Sequence, residues 1–221
     1  MRRILETLAF AALVMTGAAV APAPASALAP EPDPVPRRWQ LDVELGPLRA
    51  TTVQYQVRDS EGVTRTLNRP FLFLTYSVAN YTGEDLLLAP QFELAFDNGQ
   101  TLLSGAGVPN AVTEDLLSRL KDPLIEDQIG IVGVIAQGEQ NARDGVVIWP
   151  LPDLKVDEVA VYAAGFSGET DALELIDPTT GEPVRITLRK TLVQRYQTPG
   201  VIDIRGTKAL NPEGDPIWQM R

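Results

Sequence analysis

Apolar and polar residues alternate along much of the chain, and this period of two is typical of half-buried strands. The first clear example runs from Trp39 to Leu45 and closes at Gly46-Pro47. Similar runs, or short runs of β-branched and aromatic residues, predict further strands near residues 51–57, 71–79, 92–96, 101–103, 129–136, 145–149, 158–164, 173–176 and 184–196. Turn residues separate these runs at intervals of about eight to twelve residues, which indicates a mainly β fold built as a two-sheet sandwich.

Asn98-Gly99 gives the clearest turn signal of the chain. It lies between the predicted strands 92–96 and 101–103. Both residue types tolerate a positive φ, so we predict a two-residue hairpin turn with Gly99 at positive φ.

Residues 114–121 depart from the alternation and predict one short inserted helix. Thr113 is the expected N-cap, and Asp122-Pro123 should end the helix. Glu114, Arg119 and Lys121 are expected to face water. The apolar face, which should pack over an end or an open edge of the sandwich, comprises Leu116, Leu117 and Leu120.

The N-terminus has the parts of a secretory signal peptide. Arg2-Arg3 precedes an apolar run over residues 8–20, which is too short for the roughly 20 residues of a membrane span. The small residues Ala25 and Ala27 then predict cleavage after Ala27, because cleavage after Ala29 would place Pro30 directly beyond the cut bond. We therefore expect a secreted or periplasmic chain with no membrane span after cleavage.

A proline-rich segment separates the predicted signal peptide from the β domain. Four prolines alternate with other residues from Pro30 to Pro36, which denies helices and sheets their backbone donors and favours an extended spacer. The predicted regions are the signal peptide 1–27, the spacer 28–38, the β domain 39–200 and a C-terminal tail 201–221.

A set of motifs in the β domain resembles a known group. The set comprises Tyr76-Ser77-Val78-Ala79-Asn80 with the turn Thr82-Gly83-Glu84, the hairpin at Asp97-Asn98-Gly99, Gln137-Gly138-Glu139 leading to Gly145-Val146-Val147-Ile148-Trp149, and Arg189-Lys190-Thr191-Leu192. In this order they are similar to secreted bacterial immunoglobulin-like β-sandwich proteins of unknown function, over about residues 39–200. The resemblance implies a two-sheet antiparallel immunoglobulin-like sandwich and carries over no functional residue; the inserted helix departs from its minimal pattern.

The composition removes several chemistries. With 29 acidic and 19 basic side chains the net charge is −10, which opposes nucleic-acid binding and contact with anionic membranes. The chain has no histidine and no cysteine, which excludes Ser-His-Asp triads, thiol nucleophiles, disulfides and the common zinc sites. We expect no catalytic residue, no cofactor and no metal site.

Carboxylates and oxygen ligands are the chemistry that the composition leaves available. Glycoside hydrolysis needs two carboxylates about 5 to 9.5 Å apart, but no spacing singles out a pair. For calcium, Asp97-Asn98-Gly99 lacks the alternating ligands and the final glutamate of a calcium loop, so we interpret it as a turn. Asn80-Tyr81-Thr82 matches a glycosylation sequon. The candidate carboxylates are Glu93, Asp97, Glu114, Asp115, Glu139 and Glu169.

One predicted strand is unusually basic for an acidic chain. Its cationic residues could form a docking stripe for an acidic partner. The interpretation we favour is a charged edge strand that blocks pairing with other sheets, or one neutralised by Asp42 and Glu44. The four residues are Arg185, Arg189, Lys190 and Arg195.

The sequence thus favours a secreted, non-catalytic binding or scaffolding protein of the cell envelope, whose partner is an unidentified protein or glycan. The alternatives are a carboxylate-dependent glycan hydrolase and a carbohydrate-binding module that stacks sugars on Trp39, Trp149 or Trp218. Facing acids in a cleft would favour the hydrolase, and exposed coplanar aromatic rings would favour sugar binding.

Overall fold

The computed structural model describes residues 38–58, 60–151, 156–198, 202 and 209–221. The predicted signal peptide, its cleavage residues Ala25 and Ala27, and the spacer up to residue 37 lie outside the described residues.

The described residues form strands and one α-helix. In chain order the strands are β1 (Asp42–Leu45), β2 (Arg49–Arg58), β3 (Thr64–Ala79), β4 (Leu86–Leu88), β5 (Gln91–Phe96), β6 (Thr101–Leu103), β7 (Ile125–Glu126), β8 (Gly133–Ile135), β9 (Arg143–Pro150), β10 (Glu158–Ala164), β11 (Thr170–Ile176), β12 (Pro183–Gln197) and β13 (Asn211–Met220). Helix α1 (Asn110–Leu120) lies between β6 and β7, and a short 3-10 turn covers Glu139–Asn141.

The strands form two larger sheets and one small one. The first sheet contains β1, β2, β3, β9 and β7, and the second contains β11, β12, β10, β5, β6 and β13. Strands β4 and β8 pair separately. The mainly β fold with one α-helix is confirmed. Strand β7 differs from the antiparallel expectation, because it pairs with β9 in parallel through Ile125 and Glu126.

The long strand β3 organises the first sheet. Strand β9 pairs along one edge of β3, and β1 and β2 follow each other along the other edge. The chain steps from β1 to β2 at Gly46, whose N–H donates to the Thr75 carbonyl at 2.7 Å. A Cβ at position 46 would lie only 2.6 Å from Thr75 Oγ1, so the close approach requires glycine.

The two larger sheets share one hydrophobic core. Leu74 of β3 and Trp149 of β9 belong to the same buried cluster as Leu94, Val161 and Leu192 of the second sheet. Burying a large apolar side chain contributes about 1.5 to 3 kcal/mol. Burial of this shared cluster therefore stabilises both sheets.

Helix α1 covers the outer face of the first sheet instead of an end or an edge. It begins at Asn110 after Pro109, which provides no side-chain cap, so the prediction of Thr113 as N-cap is wrong. Pro109 is in an extended conformation with ψ 147, and because proline has no N–H it leaves no backbone donor to be paired at this position. The helix and the sheet share a second cluster that contains Val53, Tyr55, Phe71, Phe73, Val112, Leu116, Val146 and Ile148.

The buried face of α1 also differs from the predicted one. Val112 and Leu116 are buried, whereas Leu117 and Leu120 are only partly buried. The earlier start adds Val112 one turn before Leu116, and this pair points at the sheet. Leu117 lies one position further around the helix.

The hairpin between β5 and β6 has a three-residue loop. Phe96 N–H donates to the Gln100 carbonyl and Gly99 N–H donates to the Phe96 carbonyl. Gly99 has φ +83, as predicted, but Asn98 is not at positive φ, so the two-residue turn is wrong. A type I turn followed by a left-handed glycine has this geometry and adds one residue to the loop.

Two further regions differ from the predicted elements. The strand expected over 129–136 is reduced to β8, because Asp127 Oδ1 accepts the N–H groups of Ile129 and Gly130 and holds residues 127–130 in a turn. The segment assigned to a C-terminal tail contains β13, which pairs with β12.

Candidate functional site

The four basic residues of the predicted stripe do not share one face of β12. Side chains alternate along a strand, so Arg185, Arg189 and Arg195 lie on the outer face and Lys190 lies on the inner one. Strand β12 is not an edge strand over its second half, because β10 pairs with one side and β13 with the other.

Acidic residues of the second sheet and its connections neutralise part of this charge. Arg195 Nη1 lies 2.7 Å from Glu158 Oε1, and Lys190 Nζ lies 3.1 Å from Glu169 Oε1. The bond to Glu158 holds the pKa of the Arg195 guanidinium above its usual value. The expectation that Asp42 and Glu44 neutralise the stripe is wrong, because both residues lie in β1 and pair with β3 in the other sheet.

The first half of β12 leaves the body of the sheet together with β11. We call residues 170–189 the arm. Arg189 N–H donates to Arg221 on one edge of β12, and Lys190 N–H donates to Glu169 on the other. Neighbouring N–H groups of a strand point to opposite edges, so β11 continues the line of β10 and β13 lies across β12 from both.

The arm has one apolar face without a covering layer. Leu173 lies opposite Ile186 and Leu175 lies opposite Val184, which places all four side chains on the same face. Their exposed fractions are 42 to 44%, and every residue of β11 is exposed. Within the body of the sheet the same face carries Leu192 of the shared core. The arm therefore extends the core-facing side of the sheet beyond the core.

The outer edge of β11 is protected against strand pairing only by the charges of Asp171 and Glu174. Its seven residues contain no proline, glycine or lysine, and no strand of the described part pairs with that edge. By contrast, the edge strand β13 carries Pro212, Gly214 and Pro216 and a register shift opposite Val193 and Arg195. Prolines and bulges of this kind prevent a further strand from adding to an edge.

The tip of the arm is closed by local hydrogen bonds. Asp177 Oδ1 accepts the N–H groups of Thr179 and Thr180, and these bonds hold the pKa of the Asp177 carboxyl below its usual value. Asp177 N–H in turn donates to the Glu182 carbonyl. The turn thus keeps β11 and β12 in register at the end remote from the core.

Most candidate carboxylates are held by the chain itself. Glu93 contacts Arg221 at 2.5 Å, Asp115 contacts Arg119 at 2.7 Å, and Asp97 Oδ2 accepts the Asp157 N–H. Glu169 pairs with Lys190, as described above. Glu139 is exposed in the 3-10 turn, and Glu114 lines a cavity beside α1. Four of the six candidate acids therefore have a polar partner within the chain.

The loops that could supply oxygen ligands to a calcium ion are also held by bonds within the chain. Asp97 and Asn98 make bonds that hold the hairpin and its neighbour, Glu126 pairs with Arg143, and Asp127 closes its own turn. Among the residues that the structure describes, no three acidic side chains come close enough together to hold a metal ion.

The tryptophans do not form a stacking platform together. Trp149 is fully buried, and Trp39 and Trp218 are partly buried against the same core. Lys190 Nζ lies 5.8 Å from the centroid of the Trp218 ring.

Asn80 serves the fold instead of offering a modification site. It is fully buried, and Nδ2 donates to the carbonyls of Glu84 and Ile135, each at 2.9 Å. Oδ1 accepts the N–H and the hydroxyl of Thr82. Since glycosylation needs an accessible amide, this arrangement contradicts the sequon interpretation.

Sequence reasoning identified the strands of the arm but not their environment. The alternation of Leu173 and Leu175 with polar residues is the usual signal of a strand that packs on a core. No local signal distinguishes a strand inside the core from one that extends past it.

Comparisons with known proteins found no match to a protein-family model, a curated protein or a solved structure. The helix of the described residues is too short and too polar to cross a membrane. The arm, with its uncovered apolar face and an edge that no described strand pairs with, is thus the candidate functional site that the geometry itself provides.

Proposed function

We propose that the chain is a secreted, non-catalytic binding or scaffolding protein of the cell envelope, with an immunoglobulin-like two-sheet sandwich as its body. The sharing of one core by the two larger sheets supports the sandwich. The observation that carries the function is the uncovered apolar face of the arm, formed by Leu173, Leu175, Val184 and Ile186. An isolated two-stranded ribbon is only marginally stable in water, so a partner that covers this face would stabilise it.

The partner proposed for this surface is an extended segment of another envelope protein that adds beside β11. Strand addition supplies backbone hydrogen bonds along the edge, while alternate side chains of the segment cover the apolar face. The opposite face of the arm carries Arg185 and Arg189 against one acid, Glu174. The segment is therefore apolar on one face and acidic on the other.

A defined peptide pair tests this chemistry. We expect a fluorescent ten-residue peptide of alternating valine and glutamate to bind the purified protein, and the same peptide with lysine for glutamate to bind about tenfold more weakly or not at all. The double variant Leu173→Ser, Ile186→Ser should weaken binding about tenfold or more with an unchanged melting temperature, because both side chains are exposed. The matched control is Gln54→Ser, Gln56→Ser in β2, also at exposed positions.

A photo-crosslinking residue at position 175 locates the partner in the native envelope. The expected result is one discrete adduct with another protein, absent when the crosslinker is placed at position 56. An adduct with twice the mass of the chain would assign the arm to a second copy and overturn the proposal. Equal binding of the two peptides, or binding that the double serine variant leaves unchanged, would overturn it as well.

A further inference from the structure

A cavity of about 370 Å³ lies on the outer face of the first sheet, between α1, the turn 127–130 and β9. This volume falls in the lower range of small-molecule sites. Its floor is apolar and comprises Val108, Leu117, Val146 and Ile148.

The polar wall comes from one stripe of the helix. Asn110, Thr113 and Glu114 line the cavity together with Leu117, and this spacing places them along one side of α1. The neighbouring stripe with Val112 and Leu116 packs on the sheet, which holds the cavity-lining stripe in place.

The opposite wall is held by hydrogen bonds that do not need a ligand. Asp127 Oδ1 accepts the N–H groups of Ile129 at 2.9 Å and Gly130 at 2.7 Å. Gly105 N–H donates to the Ile148 carbonyl at 2.8 Å and closes the third side. The cavity is thus formed before any ligand enters.

The charges that line the cavity are both negative. They are Glu114 and Asp127, and no arginine or lysine is among the lining residues. Arg143 lies next to the turn, but Glu126 holds it through two bonds of 3.0 and 2.6 Å. The positive end of α1 amounts to only about half a charge, so the two carboxylates decide the sign of the field.

We propose that this cavity binds a small amphipathic cation, such as an alkylamine. Its apolar part lies on Val146, Ile148 and Leu117, and its ammonium group lies between Glu114 and Asp127. The site goes beyond the proposed function, because it requires neither the arm nor a protein partner.

Calorimetric titration of the purified protein with octylammonium, below its micelle concentration, tests the proposal. We expect binding at a single site, and at least about tenfold weaker binding of octanoate, which has the same chain length and the opposite charge. Glu114→Gln and Asp127→Asn should each weaken octylammonium binding about fivefold, the upper end for a partly exposed ion pair. Asparagine at position 127 keeps an oxygen that accepts the two N–H groups of the turn.

Controls separate this site from general attraction to an acidic protein. Glu139→Gln removes the same charge at an exposed position away from the cavity lining and should leave the affinity unchanged. Leu117→Gln should weaken binding in a protein that is still folded at the temperature of the titration, and amide shifts on titration should be confined to α1 and the turn 127–130. Binding at several sites, equal binding of octanoate, or indifference to both Glu114→Gln and Leu117→Gln would overturn the proposal.

Discussion

Two tyrosines are buried deeply enough to affect stability at high pH. Tyr76 and Tyr196 lie in the shared core, with exposed fractions of 3% and 2%. Burial raises the pKa of both phenols above the usual value of about 10, because the ionised form would lose its hydration. The Tyr76 hydroxyl has no hydrogen-bond partner among the described residues, so no protein hydrogen bond replaces its lost hydration.

We therefore expect the free energy of unfolding to fall as the pH rises above about 10. Below that pH both phenols are protonated in the folded and the unfolded chain, and they add no pH dependence. Above it the unfolded chain releases protons that the folded chain keeps, which favours unfolding by up to about 1.4 kcal/mol per pH unit for each tyrosine. Urea unfolding between about pH 9 and pH 11 measures this slope.

The double variant Tyr76→Phe, Tyr196→Phe is the matched comparison, because it keeps both rings and removes both ionisable groups. Its slope in this range should be flatter than that of the original chain. Equal slopes in the two proteins would show that these phenols do not control the alkaline loss of stability.

At the scale of elements, α1 places two consecutive leucines in different environments. Leu116 is 2% exposed and packs against the first sheet, whereas Leu117 lines the cavity. A helix of eleven residues is marginal alone, so this packing must stabilise it.

Leu116→Ala should lower the free energy of unfolding by about 2 to 5 kcal/mol, the range for a buried leucine. Leu117→Ala should cost less than about 2 kcal/mol, because its site is partly exposed before the change. Guanidinium unfolding of both variants measures the two changes in the free energy of unfolding, provided that its slope against guanidinium concentration is the same as in the original chain. A larger loss for Leu117→Ala would contradict the orientation of the helix.

The hairpins β2–β3 and β11–β12 also differ in whether their apolar faces are covered. The apolar face of the β2–β3 hairpin, with Tyr55, Val57 and Leu67, is covered by α1. The corresponding face of the arm has no covering element in the described structure. Similar alternation in the two hairpins thus ends in burial for one and exposure for the other.

At the scale of the whole molecule, the first prediction is export followed by cleavage. N-terminal sequencing of the protein from the envelope fraction should begin at Leu28, since Ala25 and Ala27 supply the small residues that signal cleavage requires. Ala25→Arg should block cleavage, whereas Ser26→Arg, at the position between them, should be processed normally. A protein that starts at Met1 in that fraction would contradict the prediction.

Charge at this scale constrains partners more than it constrains the fold. The net charge of −10 opposes contact with phosphate backbones and favours cationic or locally complementary partners. The arm carries Arg185 and Arg189 on its outer face, whereas the cavity is lined by Glu114 and Asp127. The two proposed sites therefore select opposite charges on opposite sheets.

The sequence by itself determined the local features. Alternation located most strands, including β10 from Glu158 to Ala164, and Gly99 was correctly predicted at positive φ. The absence of histidine and cysteine restricted the chemistry. These features depend on a residue and its chain neighbours, through backbone sterics, the pleat of a strand and the functional groups present.

Only the tertiary structure decided which apolar surfaces are covered. It placed Leu116 against the sheet and Leu117 at the cavity wall. It buried Asn80, whose amide donates to the Ile135 carbonyl. It left Leu173 and Leu175 uncovered on the arm. It also added β13 to the second sheet. The physical reason is that burial and pairing depend on residues distant along the chain, so that equal local patterns acquire different environments when the sheets and the helix pack.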